Sequence, residues 1–121
     1  MDKTRNKSTG NLGEDKATEY LVSKGYKILE RNLRLYLGEI DILAEDKKTL
    51  VIVEVKTVRG SGFGLAQDLV RHKKQNKLRN LALALGQKHP GRSMRVDVIG
   101  INFSDENNPK IEHIISAVEN K

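Results

Sequence analysis

The chain has no cysteine and no tryptophan, and its aromatic residues are limited to three tyrosines and two phenylalanines. Without cysteine, disulfides, thiolate metal sites and cysteine nucleophiles are excluded. So few aromatic residues form no basic-aromatic ladder, and a stacking platform for single-stranded nucleic acid is not expected. The first ten residues lack the apolar segment of a signal peptide, and no apolar run is long enough to span a bilayer. We therefore expect a cytoplasmic protein without a membrane partner.

Sequence motifs of several enzyme classes are also missing. The chain has no P-loop, no dinucleotide-binding fingerprint and no nucleophile elbow. His72, His89 and His113 are widely spaced and show no ligand pattern, so each is expected at the surface or in a turn. Asp97 lies between two valines of a predicted strand. It either neutralises a nearby basic residue, which we favour, or supports a functional site.

The positive charge is concentrated in one part of the chain. The formal net charge is +6, and no acidic residue occurs from Leu69 to Val96. That segment carries eight basic residues, which are Arg71, Lys73, Lys74, Lys77, Arg79, Lys88, Arg92 and Arg95. Subtracting +8 from +6 leaves −2 for the rest of the chain. The asymmetry predicts a polyanionic partner, nucleic acid before an anionic membrane, although a solvated helix face explains the charge equally well.

The order of patterns predicts an α/β protein. Residues 1–10 read as a flexible polar tail and residues 11–121 as a single domain. A first helix is expected from a cap at Asn11 to about Lys24, and a second from Ala66 to Leu85 with a C-cap at Gly86. Extended segments are expected at Tyr26–Leu37, Glu39–Ala44, Leu50–Thr57, Met94–Ile101 and Ile111–Ile115. A glycine-rich loop, Gly60 to Gly64, precedes the second helix, and helices on the faces of a mixed sheet follow from this order.

Two acids and a lysine lie on neighbouring predicted strands. Side chains alternate along a strand, so Glu54 and Lys56 share one face. If Glu45 pairs with Leu50 across the polar turn, an antiparallel register places Asp41 opposite Glu54, with Cβ atoms about 5 Å apart. Two carboxylates about 4 Å apart repel by about 4 kcal/mol at an effective dielectric of 20. A divalent cation would turn that repulsion into ligation, and Mg²⁺ takes carboxylate, water and phosphate oxygens.

A surface ion cluster is the alternative explanation for these three residues. Strands with one polar face are common in antiparallel sheets. However, the sequences around Asp41 and Glu54 are typical of strands buried on both faces, so charged residues there are expected to have a functional role. Lys74 also falls within the apolar stripe of the second helix, where it either turns toward the sheet or extends past the core to water. Glu14 borders the apolar face of the first helix and either joins the cluster or favours the helix N-terminus.

The same residues are part of a longer pattern that resembles a known family. Asp41 with Glu54-Val55-Lys56 is similar to the D…(D/E)xK signature of the restriction-endonuclease-like superfamily, with Ile40 where that superfamily has proline. The pattern continues through Gly13-Glu14, Ala17, Tyr20-Leu21, Gly25-Tyr26, Ile28-Leu29, Arg31-Asn32, Gly38-Glu39, Phe63-Gly64, Lys74-Gln75, Arg95 and Asp97-Val98. Together these residues resemble the YraN-type family of small bacterial proteins, from Gly13 to Ile99.

The resemblance implies a fold and a site. The fold would be the αβββαβ core of archaeal Holliday junction resolvases. Asp41 and Glu54 would bind Mg²⁺ or Mn²⁺, Lys56 would be the catalytic lysine, and Glu14 and Gln75 would assist. The function expected is that of a metal-dependent DNA endonuclease selective for DNA shape. The alternatives are a nucleic-acid-binding module without turnover and a protein-interaction scaffold.

The expected partner is duplex or branched DNA. Its phosphates would be bound by basic residues of the second helix, which are Arg71, Lys73, Lys74, Lys77 and Arg79. A homodimer is the assembly that the resemblance to resolvases suggests, since their junctions are symmetric.

Overall fold

The computed structural model describes residues 3–58, 72–105 and 107–116, with side chains at residues 12–57, 76–105 and 107–116. Helix α1 spans Lys3–Ser23. Strands β1 Lys27–Leu35, β2 Gly38–Asp46 and β3 Thr49–Val58 follow it. Helix α2 spans His72–Lys88, and strands β4 Ser93–Asn102 and β5 Lys110–Ile114 complete the described chain. This order contains the αβββαβ core that the resemblance implied, so the predicted fold class is confirmed.

The five strands form one mixed sheet in the order β1-β2-β3-β4-β5. Strands β1, β2 and β3 are antiparallel neighbours, β3 and β4 are parallel, and β5 returns antiparallel to β4. The parallel pair needs a crossover, and α2 lies within it. Neither described helix has the length and apolarity that crossing a bilayer requires.

One apolar cluster covers each face of the sheet. The α1 cluster contains Ala17 and Leu21 of the helix together with Ile42, Val51, Val53 and Ile99 of the sheet. The α2 cluster contains Leu78, Leu81 and Leu85 together with Ile40, Leu43, Ile52, Val96 and Val98. Because β3 and β4 supply residues to both clusters, their continuous apolar runs are explained by burial on two faces.

The predicted helix ends are partly wrong. Helix α1 begins at Lys3 rather than at a cap on Asn11, since no proline interrupts the preceding residues and helical hydrogen bonding continues through them. Helix α2 runs through Gly86 to Lys88, because Gly86 packs toward Met94 instead of ending the helix. The start predicted at Ala66 and the loop from Gly60 to Gly64 lie outside the described residues. The division into a tail and one domain stays a prediction.

Helix α1 ends as the sequence predicts, at Gly25. The amide of Tyr26 donates to the Leu21 carbonyl at 2.9 Å, and the Gly25 amide donates to the Val22 carbonyl at 3.0 Å. These two bonds form a Schellman motif, which needs the positive φ of 93° that Gly25 adopts. Leu21 and Tyr26 then meet in the α1 cluster, so the cap fixes how the helix enters the sheet.

Gly13 sets how closely α1 approaches β3. A Cβ atom added to Gly13 would overlap Cγ2 of Thr57, whereas one added to Gly86 would lie 3.5 Å from the Met94 sulfur, an ordinary contact. Alanine normally stabilises a helix interior relative to glycine. We nevertheless expect Gly13→Ala to lower the free energy of unfolding by about 1–3 kcal/mol, because it overpacks this contact. Urea unfolding measures the change.

Two further variants make this prediction specific. Gly86→Ala is expected to raise the free energy of unfolding by about 0.5–1 kcal/mol, since it adds a methyl group without a clash. Thr57→Ser removes the obstructing methyl group and should restore most of the stability lost in Gly13→Ala. A stabilising effect of Gly13→Ala would contradict the close approach described here.

Candidate active site

The strands β2 and β3 separate at Asp41. Their ladder pairs Glu45 with Leu50 and Leu43 with Ile52, as the sequence predicts, and its last rung is Ile42 with Val53. Beyond that rung, the amide of Val55 donates to Oδ2 of Asp41 at 2.8 Å. The predicted register is confirmed up to this pair, but the ladder ends before Asp41 and Glu54, because the Asp41 side chain accepts from the Val55 amide.

The surroundings of Asp41 disfavour its charged form. Burial raises the pKa of its carboxyl to about 6, although the hydrogen bond from Val55 acts in the opposite direction. The nearby charges of Glu54, Glu14 and Glu39 raise this pKa further. The charges of Glu14 and Glu54 therefore act on Asp41, while a common site formed by the three acids stays a prediction.

Glu14 reaches this region from α1 and also contacts Arg31 of β1. Its side chain is 14% exposed, and Oε1 lies 3.5 Å from Nη2 of Arg31. That oxygen is buried and has no hydrogen-bond partner among the described residues. Arg31 bonds more closely to Asp15, at 2.9 Å. An incompletely satisfied carboxylate beside other acids is the kind of group that accepts a cation.

Glu54 and Lys56 follow on β3. Glu54 is half-buried and Lys56 is exposed, and alternation places both on the face that Ile52 shares with α2. No three His, Asp or Glu side chains in the described part of the chain are grouped closely enough to hold a metal ion by themselves. Mg²⁺ is commonly bound by one or two carboxylates, with water and substrate phosphate completing its shell. Asp41 and Glu54 are the two acids that the sequence predicts for such a site, and the charge of Glu54 reaches Asp41.

The basic residues divide into paired and accessible groups. Arg92 pairs with Glu45 at 2.6 Å, and Arg95 pairs with Asp46 at 3.2 Å, so two of the eight charges are neutralised. Lys77 is exposed on α2 and approaches the start of β2 at Gly38. Arg79 of α2 is half-buried. The other predicted site residues lie outside the part of the chain with described side chains; they are Arg71, Lys73, Lys74 and Gln75.

A second polar cluster lies on the α1 face, and its assembly was not predicted from the sequence. Asp97 is fully buried and accepts hydrogen bonds from Nε and Nη2 of Arg95 at 2.9 and 3.1 Å, so its predicted role of neutralising a basic residue is confirmed. His113 Nε2 lies 2.8 Å from Oδ2 of Asp97, and the Ser116 amide donates to Oδ1 at 3.0 Å. The expectation of a surface or turn position for His113 is wrong, because β5 returns it to this buried carboxylate.

The charge of Asp97 is stabilised by this cluster. Burial raises the pKa of its carboxyl, but the hydrogen bonds from His113, Arg95 and the Ser116 amide outweigh burial and lower the pKa below its usual value. Arg95 also donates to the Tyr26 hydroxyl at 2.7 Å. The cluster is therefore a fully bonded ionic network, whereas Asp41 is an acid whose charge is poorly compensated. Of the two, only the surroundings of Asp41 indicate a binding site.

Comparison with known proteins identifies the family. The sequence model of the uncharacterised protein family UPF0102 matches residues 13–101. The chain belongs to this family. UPF0102 proteins of Trichlorobacter lovleyi and Geobacter metallireducens are 43% and 47% identical to it, over 117 and 116 residues. The alignments cover 94% of this chain in both cases, and 92% and 94% of the two relatives.

The UPF0102 family is the YraN-type family that the sequence resembles, so that prediction is confirmed. A UPF0102 protein of Geobacter sulfurreducens is 46% identical over 116 residues, which cover 94% of this chain and 91% of the relative. Among solved structures, the complex named EndoMS-dsDNA2 is similar with a TM-score of 0.47 and 16% identity. That similarity covers 69% of this chain and 34% of the other.

Proposed function

We propose that this protein is a metal-dependent endonuclease that hydrolyses phosphodiester bonds in DNA. The observation that carries the proposal is the Asp41 carboxyl, which is held partly buried where β2 and β3 separate and whose pKa is raised to about 6 by burial and by three neighbouring acids. Such an arrangement disfavours ionisation of Asp41 unless a cation is present. Functional sites are where strongly perturbed acids of this kind concentrate.

The donor set fits a hard divalent cation. Asp41, Glu54 and Glu14 offer carboxylate oxygens, and the chain has no cysteine to favour a softer metal. Asp41 and Glu54 would bind Mg²⁺ or Mn²⁺, and the unsatisfied Oε1 of Glu14 supports an assisting role. When bound, such a cation polarises a phosphodiester and lowers the pKa of a water ligand.

The other proposed roles belong to basic side chains. Lys56 lies two residues beyond Glu54 on the same strand face, so its ammonium group would stabilise negative charge that develops on the phosphate. Lys77, which is exposed beside Gly38, would contact the DNA backbone at this edge of the sheet. Phosphate contacts from Arg71, Lys73, Lys74 and Arg79 and assistance by Gln75 complete the proposal.

Cleavage of labelled DNA tests the proposal. Linear duplex and four-way junction DNA should be incubated with wild type and Glu54→Gln in Mg²⁺, Mn²⁺ or EDTA. We expect wild type to cleave with either metal and not in EDTA. Glu54→Gln should be slower by about two to three orders of magnitude, because metal catalysis contributes several kcal/mol. The matched control is Glu112→Gln, which changes an exposed glutamate of β5 and should leave the rate unaltered.

Two results would contradict this assignment. Equal cleavage by wild type and Glu54→Gln would identify a contaminating nuclease. Binding of DNA without cleavage, equal in both proteins, would identify a binding module. Calorimetric titration with Mn²⁺ provides a separate check, since Glu54→Gln should weaken metal binding even where no DNA is present.

A further inference from the structure

The turn between β1 and β2 presents an unburied aromatic side chain. Tyr36 is 100% exposed and Leu37, beside it, is 51% exposed. Leu35, immediately before them, packs against the α2 cluster, and a Cβ atom added to Gly38, immediately after them, would lie 3.5 Å from the Leu81 side chain. The turn is thus anchored on both sides, so the two exposed side chains project from a fixed base.

Positive charge lies around this projecting pair. Arg34 is 87% exposed, and its Nε lies 3.7 Å from a carboxylate oxygen of Glu39, which is too long for a strong pair. The Cε atom of Lys77 lies 3.7 Å from the position that a Cβ on Gly38 would occupy. An aromatic ring with cationic neighbours is suited to a partner that offers both a phosphate backbone and flat base surfaces.

The pair also lies at a defined distance from the candidate active site. Tyr36 lies in the turn just before Gly38, and Asp41 lies three residues along β2 from Gly38, which is about 10 Å at a rise of about 3.3 Å per residue. Bases stack about 3.4 Å apart along one DNA strand. A base in contact with Tyr36 would therefore lie at least about three nucleotides from a phosphate at Asp41.

We propose that Tyr36, assisted by Leu37, is a wedge that stacks on an unpaired or unstacked base of duplex DNA and so selects distorted DNA as the substrate. Opening an intact base step costs more free energy than one aromatic side chain recovers by stacking. The wedge therefore gains affinity only where the stack is already broken. This inference rests on the proposed function for cleavage, but the preference in binding is independent of it.

Fluorescence of 2-aminopurine tests the wedge without requiring cleavage. Two duplexes are compared in Ca²⁺, one with a single unpaired 2-aminopurine and one fully paired with the same base. We expect wild type to bind the first about tenfold more tightly and to quench its fluorescence. Tyr36→Phe should keep both effects, and Tyr36→Ser should reduce the affinity to that for paired DNA. Leu83→Ser, at a 64% exposed position of α2, should behave as wild type.

Cleavage in Mg²⁺ then separates this inference from the proposed function. A Tyr36-dependent preference without cleavage would overturn the nuclease proposal and leave the wedge in place. Cleavage with equal preference in wild type and Tyr36→Ser would overturn the wedge alone, and no binding to either duplex would overturn both. If sedimentation shows a dimer that Tyr36→Ser dissociates while DNA preference is unchanged, the turn is a contact between copies and the wedge is wrong.

Discussion

Replacing Asp41 with asparagine is expected to stabilise the protein at neutral pH and to abolish phosphodiester hydrolysis. The pKa of this carboxyl is raised to about 6 in the folded chain, so the folded state binds more protons than the unfolded state between about pH 4 and 6. The stability of wild type consequently falls as pH rises through that window. Asparagine has no charge to bury, and its side-chain oxygen still accepts from the Val55 amide.

The gain in stability of Asp41→Asn over wild type should depend on pH. Since the carboxyl is partly exposed and screened by water, we expect the free energy of unfolding to rise by about 2 kcal/mol above about pH 7, and this gain should vanish toward about pH 3. Urea unfolding at several pH values measures it. Asp105→Asn changes an exposed aspartate in a turn and should show no such gain. A stability of Asp41→Asn that follows wild type at every pH would contradict the raised pKa.

A bound divalent cation should make wild type more stable than Asp41→Asn. A cation that binds only the folded protein raises the unfolding midpoint of wild type by mass action, and Asp41→Asn should not respond. Hydrolysis by this variant should fall by at least about two to three orders of magnitude, to the background rate. Without metal, Asp41→Asn should thus be more stable than wild type but inactive. This result is expected when burial of an acid lowers stability and is retained because the acid binds a cation.

Asp97→Asn is expected to be the most destabilising conservative substitution in the described part of the chain. The variant removes a buried charge that Arg95 and His113 stabilise, and such losses cost about 3–5 kcal/mol. The loss should appear in urea unfolding near neutral pH. Because the pKa of Asp97 is lowered in the folded state, its contribution is present above the usual aspartate pKa and disappears as pH falls through the lower folded value. The gap between wild type and variant should therefore narrow in acid.

Asp46→Asn is the matched control for this effect. Asp46 bonds to the same guanidinium, with Nη1 of Arg95 at 3.2 Å, but its side chain is 31% exposed, whereas that of Asp97 is fully buried. Partly exposed ion pairs contribute about 0–1 kcal/mol. If both variants lose the same stability, burial does not explain the role of Asp97.

The sequence predicted the local parts of the fold and of the site. A short polar turn between two apolar strands determines the pairing of Glu45 with Leu50, and alternation then places Leu43 opposite Ile52. The approach of Glu54 to Asp41 follows from the same counting. The separation of the strands could not be predicted this way, because it depends on one carboxylate competing with a backbone carbonyl for the Val55 amide.

Contacts that are distant in sequence were the ones missed. His113 lies 16 residues from Asp97, on a strand whose return beside β4 no local pattern specifies. The ion pair between Glu14 and Arg31 likewise requires α1 to pack against β1. The complete exposure of Tyr36 depends on how the turn projects from the sheet, whereas its residue type alone would also suit a core position.

The arrangement of β2 and β3 also bears on how the chain acquires its site. Asp41 and Glu54 are joined by a single hairpin with a two-residue turn at positions 47 and 48. Closing so short a loop loses little chain entropy compared with docking α1 or forming the β3–β4 crossover. The strands that carry the two acids are therefore paired through a turn as short as the one between β1 and β2, so their hairpin does not depend on the docking of α1 or on the crossover.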